Sequence, residues 1–159
     1  MGEPYPAEVY RPSPEAQPGR PAAIVAGIDG SESSLRAAAY AAGLARRQRS
    51  PLVLVYVRSH PSGLLSTIDG GGAGIVAVID VEDRVEADLF DAFRRAPNDV
   101  DIQLIVRFGH PSTVLSEVAH EFQAGTVIVG RCERLTHRIT GSVPRRLVRS
   151  GRWPVTVVP

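Results

Sequence analysis

Lysine is missing from this 159-residue sequence, in which all 18 basic side chains are arginines. A phosphate-binding loop of the G-x-x-x-x-G-K-[ST] type needs a lysine that reaches the phosphates, and Schiff-base chemistry needs a lysine amine. The absence therefore excludes both kinds of chemistry, and with them a large class of ATPases.

Cysteine and long apolar runs are also scarce. The single cysteine, Cys132, can form no intrachain disulfide and no cysteine cluster for zinc. The four histidines have no cysteine or acid at zinc-ligand spacing, so no metal site is expected. No apolar run approaches the roughly 20 residues of a membrane-spanning helix, and no charged start with an apolar core opens the chain. We expect a cytoplasmic protein without membrane association.

Opposite charges balance overall but are segregated along the chain. The formal net charge is +1, from 18 basic and 17 acidic residues, so no global field marks the protein for nucleic acid. Residues 131–152 hold seven arginines and one acid, Glu133, whereas residues 80–101 hold eight acids and three arginines. The arginines of 145–152 form either a solvated helix face or an anion-binding patch. Aromatic residues do not interleave with them, so nucleic acid is not the expected partner.

The chain divides into a proline-rich tail and one domain. Residues 1–21 contain six of the 13 prolines and few apolar side chains, which is typical of a disordered tail. Residues 22–159 suffice for one domain with a substantial core.

Apolar strands alternate with amphipathic helices over residues 22–159. The predicted strands are 22–28, 52–57, 102–107, 126–129 and 155–158. The third alternates partly, which is typical of a sheet edge. The predicted helices run from Ser31, as cap, to about Arg47, from about Val81 to Arg95, from Pro111 until Gly125, and from Ser142 until Gly151. This order predicts an α/β fold with a doubly wound, Rossmann-like parallel sheet and helices on both faces.

Three helices have predicted buried or solvated faces, and a glycine-rich loop precedes one of them. We expect residues 58–74 to be a loop because of their glycines. The expected buried positions are Leu35, Ala38, Ala39, Ala42 and Ala45 in the first helix and Val143, Leu147 and Val148 in the last. The acids Glu82, Asp83, Glu86 and Asp88 are interpreted as a solvated face.

The residues that follow the strands predict a ligand site. In open parallel sheets, ligands bind beyond the carboxyl ends of the strands, where strand order reverses. Asp29 follows the first strand and can accept hydrogen bonds from a ribose, and Val57 ends the second. Gly130 allows close backbone approach, and the helix start at Gly141-Ser142 is an anion site. Together these residues predict a mononucleotide pocket.

Several of these motifs resemble the universal stress protein family over residues 22–159. The motifs are Ile28-Asp29-Gly30-Ser31, Gly109-His110-Pro111, Val129-Gly130, Gly141-Ser142-Val143 and Pro154-Val155-Thr156-Val157-Val158. The resemblance implies a five-stranded sheet of order 3-2-1-4-5 and a homodimer formed through the last strand, Val155 to Val158. It also implies membership of either an ATP-binding or a non-binding branch.

In the ATP-binding branch, the resemblance places adenosine against Ile28, Asp29 and the backbone of Val57. It places the phosphates at Gly130, Arg131, Gly141, Ser142 and Val143, with ATP, alone or with Mg²⁺, as the cofactor.

Two departures from the family pattern G-x2-G-x9-G-[ST] affect the phosphate region. Glu133 stands where the second glycine belongs, and ten residues rather than twelve separate Gly130 from Gly141. At about 4 Å and an effective dielectric near 20, a carboxylate repels each phosphate charge by roughly 4 kcal/mol. One charge-assisted arginine bond restores only about 1.5–3 kcal/mol. ATP binding is therefore expected to be weak.

Two functions remain open, and neither is enzymatic. The first is a nucleotide-binding signalling or protective module of the stress response. The second is a non-nucleotide interaction or scaffold module of the same fold that acts through protein–protein contacts. No G-x-S-x-G elbow is present, and ATP hydrolysis has no identifiable base or metal ligand beyond Asp29. Cys132, beside Arg131, is either a redox-sensitive thiol or a bystander.

Overall fold

The computed structural model describes residues 8–11, 21–58, 72–96, 99–131 and 143–159. Strands and helices alternate through these ranges as the apolar pattern predicts. In chain order they are β1 Glu8–Arg11, β2 Ala23–Ile28, α1 Glu32–Gln48, β3 Leu52–Arg58, α2 Gly72–Arg95, β4 Ile102–Phe108, α3 Pro111–Glu121, β5 Ala124–Gly130, α4 Val143–Ser150 and β6 Val155–Val158.

The described strands form one sheet of order β1-β4-β3-β2-β5-β6. The five strands from β2 to β6 are parallel, so the predicted order 3-2-1-4-5 is confirmed. β2 lies in the middle, where Ile24 pairs with Leu52 of β3 and with Thr126 of β5. Its position explains its nearly unbroken apolar sequence, because helices cover both of its faces.

The sixth strand, β1, was not predicted. It lies within the segment interpreted as a disordered tail and pairs antiparallel with β4, Glu8 opposite Ile105 and Arg11 opposite Ile102. Four residues with one valine carry too little pattern to predict a strand. As a consequence, β4 is not the outermost described strand, and the edge position expected from its alternation is wrong. Residues 1–7 and 12–20 lie outside the described part of the chain, and the division into tail and domain stays a prediction.

Two apolar layers cover the sheet. On one face α1 and α2 pack against Ile24, Ala26 and Tyr56. On the other face α3 and α4 pack against Val25, Val55 and their neighbours. Successive residues of β2 therefore point to opposite layers, as the period of a strand requires.

Several predicted helix faces and boundaries differ from the structure. The buried face of α1 contains Ser33, Ser34, Ala37, Ala41 and Ala45, whereas Leu35 is exposed. The face is rotated because both serine hydroxyls bond carbonyl groups near the helix start and can therefore be buried. In α4, Leu147 is buried as predicted, but Val148 is exposed.

Two boundaries set by glycine were also wrong. α2 begins at Gly72 rather than near Val81, so helix extends into the predicted glycine-rich loop. Gly125 lies within β5, and the left-handed residue after α3 is Gln123, with φ 50°. At Gly125, the position within a sheet strand outweighs the tendency of glycine to end a helix.

Arg58, the last residue of β3, forms ion pairs with three acids of α2. Its guanidinium lies 2.6 Å from Asp83 and 2.8 Å from Glu86, and its Nε lies 3.5 Å from Glu82. The Glu82 and Glu86 side chains are only 15% and 13% exposed, so the interpretation of both as solvated is wrong. Three carboxylates around one mostly buried guanidinium stabilise the docking of α2, because Glu82 and Glu86 would carry a desolvation penalty if they were left without a cation.

Tyr56 lies beneath the same part of α2. Its ring is almost fully buried, and its hydroxyl donates a hydrogen bond to the Glu82 carbonyl at 3.4 Å. Burial, with the nearby Glu82 charge as the next cause, raises the pKa of Tyr56 to about 12. The folded protein therefore favours the neutral phenol well above the pH at which an unfolded chain ionises it.

We predict that Tyr56→Phe makes stability less sensitive to alkaline pH. Above about pH 10 the unfolded state loses the tyrosine proton while the folded state keeps it, so the native free energy of unfolding falls, by about 1 kcal/mol at pH 11. The variant lacks this contribution and should decline less between pH 8 and pH 11 in urea titrations. Tyr40→Phe, which alters an exposed tyrosine, is the matched control and should follow the native protein. Identical pH slopes for Tyr56→Phe and the native chain would contradict the prediction.

Candidate functional site

A pocket lies at the carboxyl ends of β2, β3 and β5. The chain runs from β2 outward through β3 to β4, then returns to the other side of β2 through β5 and β6, so this is where strand order reverses. Its described lining is Gly27, Ile28, Asp29, Ser31, Ser33, Ser34, Val55, Val57, Pro111, Leu115, Val129, Gly130, Arg131, Val143 and Pro144.

Six of the eight residues predicted for the site line this one pocket. They are Ile28, Asp29, Val57, Gly130, Arg131 and Val143. The other two, Gly141 and Ser142, lie outside the described residues, as do Cys132 and Glu133. The topology therefore brings these six residues together, and the role of all eight in binding stays a prediction.

The N-termini of three helices meet at the pocket. Ser31, Ser33 and Ser34 belong to the start of α1, Pro111 to the start of α3, and Val143 to the start of α4. The first backbone N–H groups of a helix have no intrahelical acceptor and carry a partial positive charge. This end of the pocket is therefore suited to an anion.

The rest of the lining is mainly apolar. Val55, Val57, Leu115 and Val129 supply branched side chains from two strand ends and from α3. Their surfaces suit a flat apolar group, while Arg131 and the helix starts suit a negative charge. The pocket is thus polarised, with distinct surroundings for the two parts of an amphiphilic ligand.

Asp29 shapes the turn between β2 and α1. One carboxylate oxygen accepts the N–H of Ser31 at 2.9 Å, and the N–H of Asp29 donates to the Ser34 hydroxyl at 3.2 Å. Ser31 caps the helix as predicted, because its hydroxyl accepts the N–H of Ser34 at 3.2 Å. A carboxylate accepts several hydrogen bonds, so support of this turn is compatible with a bond to a ligand hydroxyl.

Gly130 serves a close contact between backbones. A Cβ at this position would lie 2.6 Å from the carbonyl carbon of Ser33 and 2.7 Å from the nitrogen of Ser34. Close approach of a ligand was the predicted reason for this glycine, but the contact that requires it is with α1. The lack of a side chain here is therefore explained by folding alone.

Ser33 is a site residue that the sequence analysis missed. It is buried, and its hydroxyl donates to the Arg131 carbonyl at 3.0 Å. The two residues stand 98 positions apart, so no local pattern predicts the bond. The cap spacing identified Ser31 but could not distinguish Ser33 from an ordinary residue of the first turn.

His110 connects the starts of α3 and α4 beside the pocket. Its Nε2 lies 3.4 Å from a guanidinium nitrogen of Arg146, and its Nδ1 lies 2.9 Å from the Ser112 hydroxyl. Because a guanidinium can only donate, Nε2 accepts, and a neutral ring then carries its proton on Nδ1. The contact joins the residue before α3 to the first turn of α4.

Other kinds of site are missing from the described ranges. Within them, no group of three or more His, Cys, Asp or Glu side chains could hold a metal ion. No helix in the described part of the chain combines the length and apolar character needed to cross a membrane.

Comparison with known sequences identifies relatives over the whole predicted domain. The family model described as the Universal stress protein family matches residues 22–159. Universal stress proteins MT3220 and Rv3134c, from Mycobacterium tuberculosis strains CDC 1551 / Oshkosh and ATCC 25618 / H37Rv, are each 35% identical over 144 residues. The match covers 87% of this chain and 49% of each relative, so the chain spans about half the length of these curated relatives.

Solved structures share the fold. A universal stress protein in complex with cAMP is 28% identical, with a TM-score of 0.57, over 86% of this chain and 95% of that chain. A protein from the same family from Burkholderia pseudomallei is 25% identical, with a TM-score of 0.60, over 87% and 96% of the two chains. UspA from Lactobacillus plantarum, at 19% identity and a TM-score of 0.66, covers 89% of this chain and 99% of its own and supports the fold.

We predict that Gly130→Ala lowers the free energy of unfolding by about 2 kcal/mol, because the added methyl group overlaps backbone atoms that have little room to move. Gly43→Ala is the matched control, since its methyl group meets only the flexible end of Arg47 at 3.3 Å. A helix-interior alanine should raise stability by about 0.5–1 kcal/mol. Chemical denaturation measures both changes. A native-like stability of Gly130→Ala would contradict the assigned contact.

Proposed function

The chain belongs to the universal stress protein family, and from this premise we propose that its pocket binds an adenine nucleotide in a non-catalytic module of the stress response. The observation that carries the proposal is the convergence of three helix N-termini and Arg131 beside an apolar lining, at the reversal of strand order. The module acts in signalling or protection, in a cytoplasmic setting.

The two parts of a nucleotide match the two parts of the pocket. The adenine ring lies against Ile28 and Val57, where apolar surface is available, and Asp29 accepts a ribose hydroxyl. The phosphate lies toward Gly130, Arg131 and the start of α4 at Val143, where the helix N-terminus and the guanidinium attract negative charge. Gly141 and Ser142, in the segment just before α4, complete the proposed phosphate region.

Both a linear and a cyclic nucleotide are candidates. The structurally similar universal stress protein in complex with cAMP favours a cyclic ligand. ATP, alone or with Mg²⁺, is the ligand of the family's ATP-binding branch. Each additional phosphate charge near a carboxylate adds repulsion, and Glu133 stands at the motif position where the ATP-binding branch has a glycine. We therefore expect ATP to bind weakly and singly charged cAMP to meet less repulsion.

Binding without turnover fits the chemistry of the pocket. Asp29 is the only carboxylate in its described lining, and it supports the turn that begins α1. A general base must reach the proton that it removes and must be free to accept it. The hydrogen bond from Ser31 holds this carboxylate in the turn, where we assign it to binding a ribose hydroxyl.

A second candidate function is an interaction or scaffold module that binds no nucleotide. The observation in its favour is at Gly130, whose missing side chain is explained by the contact with α1 and needs no ligand. The exposed arginines of α4 and the open β6 edge then provide the protein–protein contacts. Mass spectrometry of small molecules that copurify with the protein separates the two candidates, because a native nucleotide would count against the second.

We predict that Val57→Trp weakens nucleotide binding by about tenfold or more, because an indole occupies the space proposed for adenine. Titration calorimetry with ATP and with cAMP measures the dissociation constants. Val81→Trp places the same side chain at an exposed position of α2 outside the pocket and should bind like the native protein. Lack of saturable binding of either nucleotide at millimolar concentration would refute the nucleotide proposal, and native affinity in Val57→Trp would place binding elsewhere.

We also propose a homodimer through β6. This strand lies at one end of the described sheet, and Val157 on it is 44% exposed. An apolar edge strand with unpaired backbone groups tends to add a further strand. Two copies related by a twofold axis would place β6 against β6 and satisfy both edges.

We predict that Val157→Glu converts the dimer to monomer or aggregate, because two glutamates would face one another across the new strand pair. Sedimentation velocity measures the species present. Val148→Glu introduces the same charge at an exposed valine of α4 and should leave the dimer intact. A Val157→Glu protein with the native dimer dissociation constant would exclude this interface.

A further inference from the structure

The backbone of Arg131 joins the pocket to the last strand of the sheet. Its N–H donates to the carbonyl of Val158 in β6 at 2.8 Å. Its carbonyl accepts the hydroxyl of Ser33, in the first turn of α1, at 3.0 Å. The backbone N–H and the backbone carbonyl of Arg131 are thus bonded to two segments that are distant in sequence, β6 and α1.

The start of α1 also holds the end of β6 directly. Nε of Arg36 donates to the Pro159 carbonyl at 2.7 Å, and the same guanidinium pairs with Glu32 at 2.5 Å. Ser33 and Arg36 lie on adjacent turns of one helix. Motion of β6 away from β5 would therefore disturb the first turns of α1 and the Arg131 backbone together.

β6 is an edge strand that is open to such motion. It has four residues and pairs with β5 alone among the described strands. Short edge strands open at low free energy, because few hydrogen bonds and little burial hold them. A ligand that holds Arg131 in place would suppress this opening through the Val158 bond. A second chain paired along β6 would in turn hold Arg131.

We propose that pocket occupancy and pairing of the β6 edge with a second copy of this chain stabilise each other through Arg131, and that Ser33 is the positioning residue of this link. The inference rests on the proposed function, which supplies the ligand and the second copy. Linkage makes the effect reciprocal: if nucleotide tightens the dimer, the dimer binds nucleotide more tightly by the same factor.

Sedimentation equilibrium with and without saturating cAMP tests the link. In the native chain, cAMP should lower the dimer dissociation constant by about fivefold or more. In Ser33→Ala, cAMP should lower the dimer dissociation constant by less than about twofold, because the Arg131 carbonyl loses its hydrogen bond to α1. Ser50→Ala, which alters a buried serine whose hydroxyl has no hydrogen-bond partner among the described residues, is the matched control and should keep the native response to cAMP. If saturating cAMP leaves the dimer dissociation constant of the native chain unchanged, the inference is overturned.

Hydrogen exchange of the ligand-free protein separates this inference from the proposed function. Ser33→Ala should speed exchange of the Arg131 and β6 amides by about fivefold or more, whereas Ser50→Ala should not. Equal exchange in the two variants overturns the link even when nucleotide binds. Faster exchange in Ser33→Ala without any nucleotide binding refutes the proposed function and supports the link between Ser33 and β6.

Discussion

The close approach of β5 to the first turn of α1 is the constraint on which the site depends. Gly130 lies so near the backbone of Ser33 and Ser34 that even a methyl group would overlap it. This contact places the end of β5, and Arg131 after it, beside the first turn of α1. The serines of α1 can line the pocket because Gly130, at the end of β5, has no side chain that would push the helix away.

The three serines at the start of α1 make different hydrogen bonds near this contact. Ser31 caps the helix, Ser34 bonds the turn after β2, and Ser33 reaches the carbonyl that follows β5. Their hydroxyls satisfy polar groups at the junction of three elements, which an apolar side chain could not do. At the end of β3, one residue beyond Val57, Arg58 joins the strand to α2 by ion pairs.

The strands and the position of the site could be predicted because both depend on local or topological rules. Valine-rich runs predicted the five parallel strands, and the rule of strand reversal selected Asp29, Val57 and Gly130. Other features depend on distant partners. Nothing near Glu82 in the sequence indicates Arg58, and the bond from Ser33 to Arg131 follows only from the folded chain. α2 extends into a glycine-rich segment whose local preference is for loop, so sequence propensity alone sets its start too late.

The antiparallel pairing of β1 with β4 makes the two sides of the described sheet unequal. One outer strand is supplied by the N-terminal segment and runs against the others, while the opposite outer strand, β6, is parallel to its neighbour. If β4 were bare, copies could join β6 to β4 head to tail and grow into an open fibre. With β1 over β4, the outer edge on that side is instead a strand of four residues, which offers few backbone groups for further pairing. The short N-terminal strand thereby makes a head-to-tail joint with β6 less favourable.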